Sequence, residues 1–169
     1  MSLHLETDRL YLKPLEQQHF ELFAKMLRDP FIRKYLCDDV IFDDEIIQDF
    51  IDSSAHTFEQ HGYGLWLIEE KTGGAVIGFT GLRSFFEEPQ PQLLYALFEN
   101  FTGKGYAKEA ARKIIDYSFD ALRFSYLVAS CDAPNLPSQQ LALSLDMKLF
   151  KEEEKEGLLT LFYKIEQDE

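Results

Sequence analysis

The stretch Phe101–Lys113, FTGKGYAKEAARK, sets two glycines around a lysine and then runs into residues that favour helix. Four basic side chains, Lys104, Lys108, Arg112 and Lys113, stand there against the single acid Glu109, in a chain whose formal net charge is −13. Local positive charge behind a glycine turn, in an acidic protein, points to a place for an anion. The first turn of a helix carries backbone N–H groups that no carbonyl of the helix can reach, here from about Gly103 to Lys108. Glycine at 103 and 105 lets an anion approach the main chain without meeting a Cβ. Lys104 and Lys108 add charge at the rim. The plainer alternative is a strand-to-helix turn with basic residues on a solvated face.

The known phosphate loops do not fit this stretch. A Walker A loop needs G-x-x-x-x-G-K-[ST], which GKGYAKEA lacks, and Lys108 stands where a dinucleotide fingerprint would have its third glycine. The segment also follows three meandering strands, not a repeated parallel βαβ array. What remains is an anion nest at a helix start.

Upstream, LLYALFE (Leu93–Glu99) reads as the strand that delivers the chain to the loop, after a connecting FEEPQPQ (residues 86–92). YGLWLIEE and GAVIGFTGLRSF are apolar β-rich runs joined by KTGG, whose Gly73-Gly74 suits a hairpin turn. Asp43–Gly62 spaces Ile46, Ile47, Phe50, Ile51 and Phe58 as a helix does, with acids in its first turn and glycine at its end. EQQHFELFAKMLRD carries Phe20, Phe23 and Leu27 on one stripe with Leu22 and Met26 beside it, and PFIRKYL extends it as a short second helix after Pro30. RLYLKPL (Arg9–Leu15) alternates as a strand stopped by Pro14. Downstream, Ala107, Ala110, Ala111, Ile114, Ile115 and Phe119 mark a helix with small residues early on its buried face. SYLVAS is a strand, NLPSQQLALSL a short helix, and MKLFKEEEKEGLLTLFYKI a final hairpin with EEEKE as its solvated turn and Leu159, Leu161, Tyr163 and Ile165 on one face. The order β-α-α-β-β-β-α-β-α-β-β gives an α+β fold of about seven strands in a mixed, mostly antiparallel sheet with one parallel crossover.

The 169 residues fit one domain, 1–169, with 46% hydrophobic residues, 15 Phe and 8 Tyr. A pI near 4.7 argues against a general nucleic-acid binder and suits a cationic substrate. Cys37 and Cys131 form no CxxC pair, and no apolar run approaches the length of a membrane span. A cytoplasmic protein, monomer or homodimer, with no membrane partner, is the expectation. No metal-ligand spacing is visible. His19, His56 and His61 read as surface or helix-packing residues.

Four segments recur in the same order in one family: TDRLYLKPL, GYGLWLIEEKTGGAVIGFTGL, GKGYAKEAARKIIDYSFD and PNLPSQQLALSL. From about Thr7 to Phe162 the chain resembles the GNAT superfamily of N-acetyltransferases, and most closely its ribosomal-protein N-terminal acetyltransferase-like branch. The resemblance implies a twisted sheet with helices on both faces and a splayed central strand pair. It implies acetyl-CoA as cosubstrate, no metal, and an amine acceptor, either a protein or peptide α-amine or a small molecule, acetylated by direct attack. The family's [QR]-x-x-G-x-[GA] loop is matched by Thr102, Gly103, Lys104, Gly105, Tyr106 and Ala107 except at its first position, where Thr102 stands, and Lys108 follows. The loop's usual Gln or Arg is absent. The strand ending at Glu99 matches the one that splays to admit the pantetheine arm, with a main-chain N–H of Leu97 or Phe98 for the oxyanion. Asn135 and Ser138 match the branch's N-x-x-S motif, Asn toward the pantetheine and Ser toward the departing sulfur, although each also reads as a plain helix-start residue. Glu99 is the candidate base, with Asp132 at the end of the next strand a second. Three departures stand out: Asp146-Met147 for Gly-Phe, Ala142 for a catalytic Tyr, and Gln92 for a Glu. The last two keep open a second reading, a non-catalytic acyl-CoA sensor or interaction module.

Overall fold

The helices and strands follow from local pattern and from caps. A computed structural model describes residues 3–85 and 89–168, which leaves the first part of the 86–92 connection outside the described residues. Strand β1 (Leu5–Glu6) and strand β2 (Leu10–Pro14) lead to helix α1 (Phe20–Arg28), which buries Phe23, Ala24, Met26 and Leu27. Helix α2 (Pro30–Leu36) starts where the Asp29 carboxylate accepts the N–H groups of Phe31 and Ile32, with Pro30 in the first turn, where its missing N–H costs nothing. Helix α3 (Asp44–His61) is capped by Asp43, carries Asp44 and Glu45 against the positive end of its dipole, and stops at Gly62.

Strands β3 (Leu65–Glu70), β4 (Val76–Arg83) and β5 (Gln92–Leu97) form the expected meander, and with β1 and β2 they make a five-stranded sheet in the order β1-β2-β3-β4-β5. Gly78 makes the β4–β5 contact possible. A Cβ there would lie 2.0 Å from the Ala96 carbonyl oxygen and 2.9 Å from Leu97 Cα. Helix α4 (Tyr106–Asp120) then crosses to β6 (Tyr126–Asp132), followed by α5 (Leu136–Ser144), β7 (Lys148–Lys155) and β8 (Leu158–Glu166).

Three expectations are corrected. The described residues hold eight strands, because β1 is too short to show a period. The parallel pair does not join one mixed sheet. β6, β8 and β7 form a separate three-stranded sheet, and every hydrogen-bonded pair in both sheets is antiparallel. The segment EEEKE is mostly strand, since Glu152–Lys155 pair with Leu158–Leu161. The turn is only Glu156-Gly157, both at positive φ (53° and 81°), which suits the twist of a two-residue hairpin.

Helices cover both faces. On one, α4 packs Ala110, Ala111, Ile114 and Ile115 against Leu10, Leu12, Trp66, Ile68 and Leu93. On the other, α1 and α3 bring Phe23, Leu27, Ile47 and Ile51 against Leu65, Leu67, Phe79 and Leu94. Among the described residues no helix is long and apolar enough to cross a membrane.

Candidate active site

Strands β5 and β6 lie side by side without a ladder between them, and their two ends differ. Where β5 begins, the Gln90 side-chain amide donates to the Tyr126 carbonyl, and Ser130 Oγ, farther along β6, donates to Gln92 Oε1 at 2.8 Å. Rising numbers on β5 meet rising numbers on β6, so the pair is parallel. Gln92 is 1% exposed and serves as a buried tie between the two sheets. Toward their C-terminal ends the strands part around a cleft of about 310 Å³. Leu97 and Tyr95 line one side, Cys131 and Asp132 the other, with Asn135 and Ser138 of α5 beside them and Phe31 and Tyr35 of α2 across the mouth.

The hydrogen-bond pattern decides which N–H groups face the gap. Phe98 N–H donates to the Ile77 carbonyl at 2.9 Å, so it belongs to the β4 side. Successive residues of a strand turn their amides to opposite edges. The register Phe79↔Ala96 and Gly81↔Leu94 then directs the N–H groups of Tyr95 and Leu97 into the cleft. Of the two candidates for an oxyanion donor, the Leu97 N–H faces the cleft and the Phe98 N–H is bonded to Ile77.

At the far edge of the cleft stands the glycine loop, with Thr102 and Ala107 among the lining residues. Gly103 and Gly105 hold φ of 77° and 83°, a conformation that a β-branched residue tolerates poorly. Gly105 is the N-cap of α4, and no side chain caps that helix. Its ladder begins with Glu109 N–H donating to the Gly105 carbonyl, so the N–H groups of Tyr106, Ala107 and Lys108 lie outside it and point beyond the helix start. Lys104 and Lys108 are exposed beside them.

The loop is braced from the other end of the chain. Arg9 Nε donates to Glu109 Oε1 at 2.8 Å, Arg9 Nη1 to the Lys104 carbonyl at 3.0 Å, and the Thr7 hydroxyl and Arg9 N–H to Glu109 Oε2. The guanidinium also lies 4.3 Å from the Tyr106 ring centroid, and the Tyr106 hydroxyl donates to Glu70 Oε2 at 2.6 Å. Partial burial works against the Glu109 charge, but the bonds from Thr7 and Arg9 outweigh it and hold its pKa below the ordinary value. These partners are about a hundred residues apart, so sequence spacing gave no sign of the brace, although TDRL was among the segments that carried the resemblance.

On α5, Asn135 is the N-cap, its Oδ1 accepting the Ser138 N–H at 3.3 Å, and both residues line the cleft. The cap and a ligand-facing role are compatible, because the cap occupies the side-chain oxygen. The Tyr95 hydroxyl donates to the Ser138 carbonyl at 3.4 Å across the gap, and desolvation pushes its pKa up to about 12. Glu99 is exposed, at the head of the single turn Glu99–Phe101 that leaves β5, and it is absent from the cleft lining. Asp132 does line the cleft. Ala142 is 2% exposed and packs in the core, so that position faces away from the opening. Asp146 holds φ of 67°, the left-handed turn that the family's glycine would hold, and bonds to Arg112 at 3.4 Å. His19 Nδ1 accepts the Glu16 N–H, and His61 stacks on Tyr63. Among the described residues no three His, Cys, Asp or Glu side chains gather as a metal site.

The comparisons agree with this geometry. Residues 9–148 match the family model described as an acetyltransferase (GNAT) domain. The chain is 30% identical over 156 residues to an N-acetyltransferase of Bacillus licheniformis, p20, described as uncharacterized, across 92% of this chain and 84% of that protein. An acetyltransferase structure from Agrobacterium tumefaciens superposes with a TM-score of 0.84 at 24% identity, covering 97% of this chain and 94% of that one. RimL, the ribosomal L7/L12 α-N-protein acetyltransferase solved in complex with coenzyme A, superposes with a TM-score of 0.79 at 15% identity, covering 95% of each chain. A cleft between parting parallel strands, an uncapped glycine-led helix start at its edge, and a family match over most of the sequence lead to one conclusion: the chain belongs to the GNAT family of acetyltransferases.

Proposed function

We propose that this protein transfers an acetyl group from acetyl-CoA to a primary amine, by direct attack with both substrates bound. The observation that carries the reading is the strand pair closed by glutamines at one end and open at the other, next to the uncapped first turn of α4. The N–H groups from Gly103 to Lys108 take the pyrophosphate, with Lys104 and Lys108 at the rim. The pantetheine arm lies along β5, where the inward main-chain groups of Tyr95 and Leu97 meet it as an added strand would. Leu97 N–H faces the thioester oxygen and stabilises the oxyanion of the tetrahedral intermediate. Asn135 contacts the pantetheine through its side-chain amide, and the Ser138 hydroxyl hands a proton to the leaving sulfur. The acceptor is a protein or peptide α-amine, in keeping with the name of the RimL neighbour, or a small-molecule amine.

The test is calorimetry with acetyl-CoA at low salt, followed by release of free coenzyme A thiol across a panel of peptides and amines. Binding is expected, weakening as salt screens the exposed lysines. An absence of binding at low salt would overturn the reading.

A further inference from the structure

Among the described residues that line the cleft, Asp132 is the single carboxylate and Lys34 the single other charged side chain. Asp132 ends β6, and its carbonyl accepts the Asn135 N–H at 2.9 Å. That tight turn fixes it immediately before the start of α5, in the wall that also presents Ser138. Asp38 follows α2, whose Phe31 and Tyr35 line the same cleft, at a positive φ of 51°, and its charge acts to raise the pKa of Asp132. Glu99 sits on an exposed turn outside the lining.

We infer that Asp132 is the catalytic proton acceptor, taking a proton from an ammonium that enters the cleft. The inference rests on the transferase reading and adds the residue that makes a protonated amine reactive. The ammonium nitrogen gives one proton to the Asp132 carboxylate, directly or through one water, and Asp132 passes it to solvent. The neutral nitrogen attacks the thioester carbonyl carbon, the C–N bond forms and the C–S bond breaks. The second proton leaves the nitrogen after attack and reaches the sulfur through Ser138. The products are the amide, the thiol and one proton released, so the step balances.

The surroundings suit the role. Desolvation in the cleft wall, and after it the charge of Asp38, raise the pKa of Asp132 above the ordinary aspartate value, which brings a base closer to its working pH. The other titratable or charged groups that share the lining are Lys34 and Tyr35 of α2, Tyr95 of β5, and Cys131 of its own strand. Lys34 Nζ lies 5.1 Å from the Tyr35 ring centroid, on the α2 side. Burial, with Asp132 beside it, pushes the Cys131 thiol up to about 11 and Tyr95 is up near 12, so neither takes up a proton near neutrality. A carboxylate in the cleft wall also favours an amine without a neighbouring carboxylate.

The experiment compares Asp132→Asn with the wild type on two acceptors, 2-phenylethylamine, which is protonated at neutral pH, and hydroxylamine, which is not. The variant keeps size and shape. It is expected to lose about a hundredfold in kcat with 2-phenylethylamine, keep most of its rate with hydroxylamine, and bind acetyl-CoA with unchanged affinity. Asp38→Asn is expected to move the acidic limb of the wild-type pH–rate profile to lower pH, because removing a neighbouring negative charge lowers the pKa of Asp132. Equal losses on the two acceptors, an unchanged rate on 2-phenylethylamine, or an unmoved limb would overturn the assignment. So would a wild type that binds acetyl-CoA and acetylates neither amine. A wild type that does not bind acetyl-CoA brings down the transferase reading itself.

Discussion

Where β5 begins, the side chains of Gln90, Gln92 and Ser130 stitch it to β6, whereas at their C-terminal ends the same strands carry Leu97 and Asp132 on opposite walls of a cleft whose lining Ser130 also reaches. Both ends contain main-chain groups that a parallel ladder would ordinarily pair. At the closed end neutral amide side chains span the gap, so burial leaves no charge to compensate. At the open end the N–H groups of Tyr95 and Leu97 have no strand opposite, and an extended ligand is the natural partner. One topological device, a parallel neighbour that is not zipped, thus joins two sheets and makes a binding slot.

The largest effect is expected from moving the wall of the slot. Gly78→Ala puts a Cβ against the Ala96 carbonyl and Leu97, forcing β4 and β5 apart at a cost of about 1–3 kcal/mol or more. Melting temperature and acetyl-CoA affinity should fall together, and a variant with the wild-type Tm would show that the close contact is not needed. Next is the open end. Ser138→Ala is expected to lower kcat by about tenfold, roughly 1.4 kcal/mol, with acetyl-CoA affinity preserved, as for an interaction made mainly in the transition state. Parallel losses of stability and activity would make Ser138 a helix-start residue and nothing more.

The stitched end should answer mainly in stability, although Ser130 also touches the cleft. Ser130→Ala leaves the buried Gln92 Oε1 without its donor, worth about 1 kcal/mol. Denaturant melts should register it, and a change in kcat at constant fold would instead tie this end to the chemistry. The smallest effect concerns the loop brace. The Glu109 pKa is depressed in the folded state, so its contribution is present above the unfolded carboxylate pKa and is lost as pH falls through the folded one. Because Arg9 is 45% exposed at the side chain, the brace is worth less than about 1 kcal/mol. Glu109→Gln should flatten the acid side of the stability profile and weaken acetyl-CoA binding slightly at neutral pH. An unchanged acid slope would mean that other carboxylates control it.

The amino-acid sequence by itself determined the elements that depend on neighbours along the chain. The stripe of α1, the capped α3, the KTGG hairpin and the small-residue face of α4 all rest on periods and caps within a single element. The glycine loop was legible for the same reason, since the glycine turn and the free first turn are properties of six consecutive residues, Gly103–Lys108. Resemblance supplied the N-x-x-S pair, whose Asn135 proved to be a cap as well. What only the tertiary structure decided involves residues that meet from far apart. The Phe98 amide is claimed by Ile77, Gln92 is a tie and not a spoiled acid, Arg9 holds the loop through Glu109, and the charge of Asp38 acts on Asp132. The run Glu152–Lys155 became strand because pairing with β8 outweighs the weak strand preference of Glu and Lys at an exposed edge. The physical reason is common to all of these. Local propensity is written in adjacent residues, whereas the edge to which an amide points, and the charge a carboxylate feels, are set by whichever distant segment folds against it.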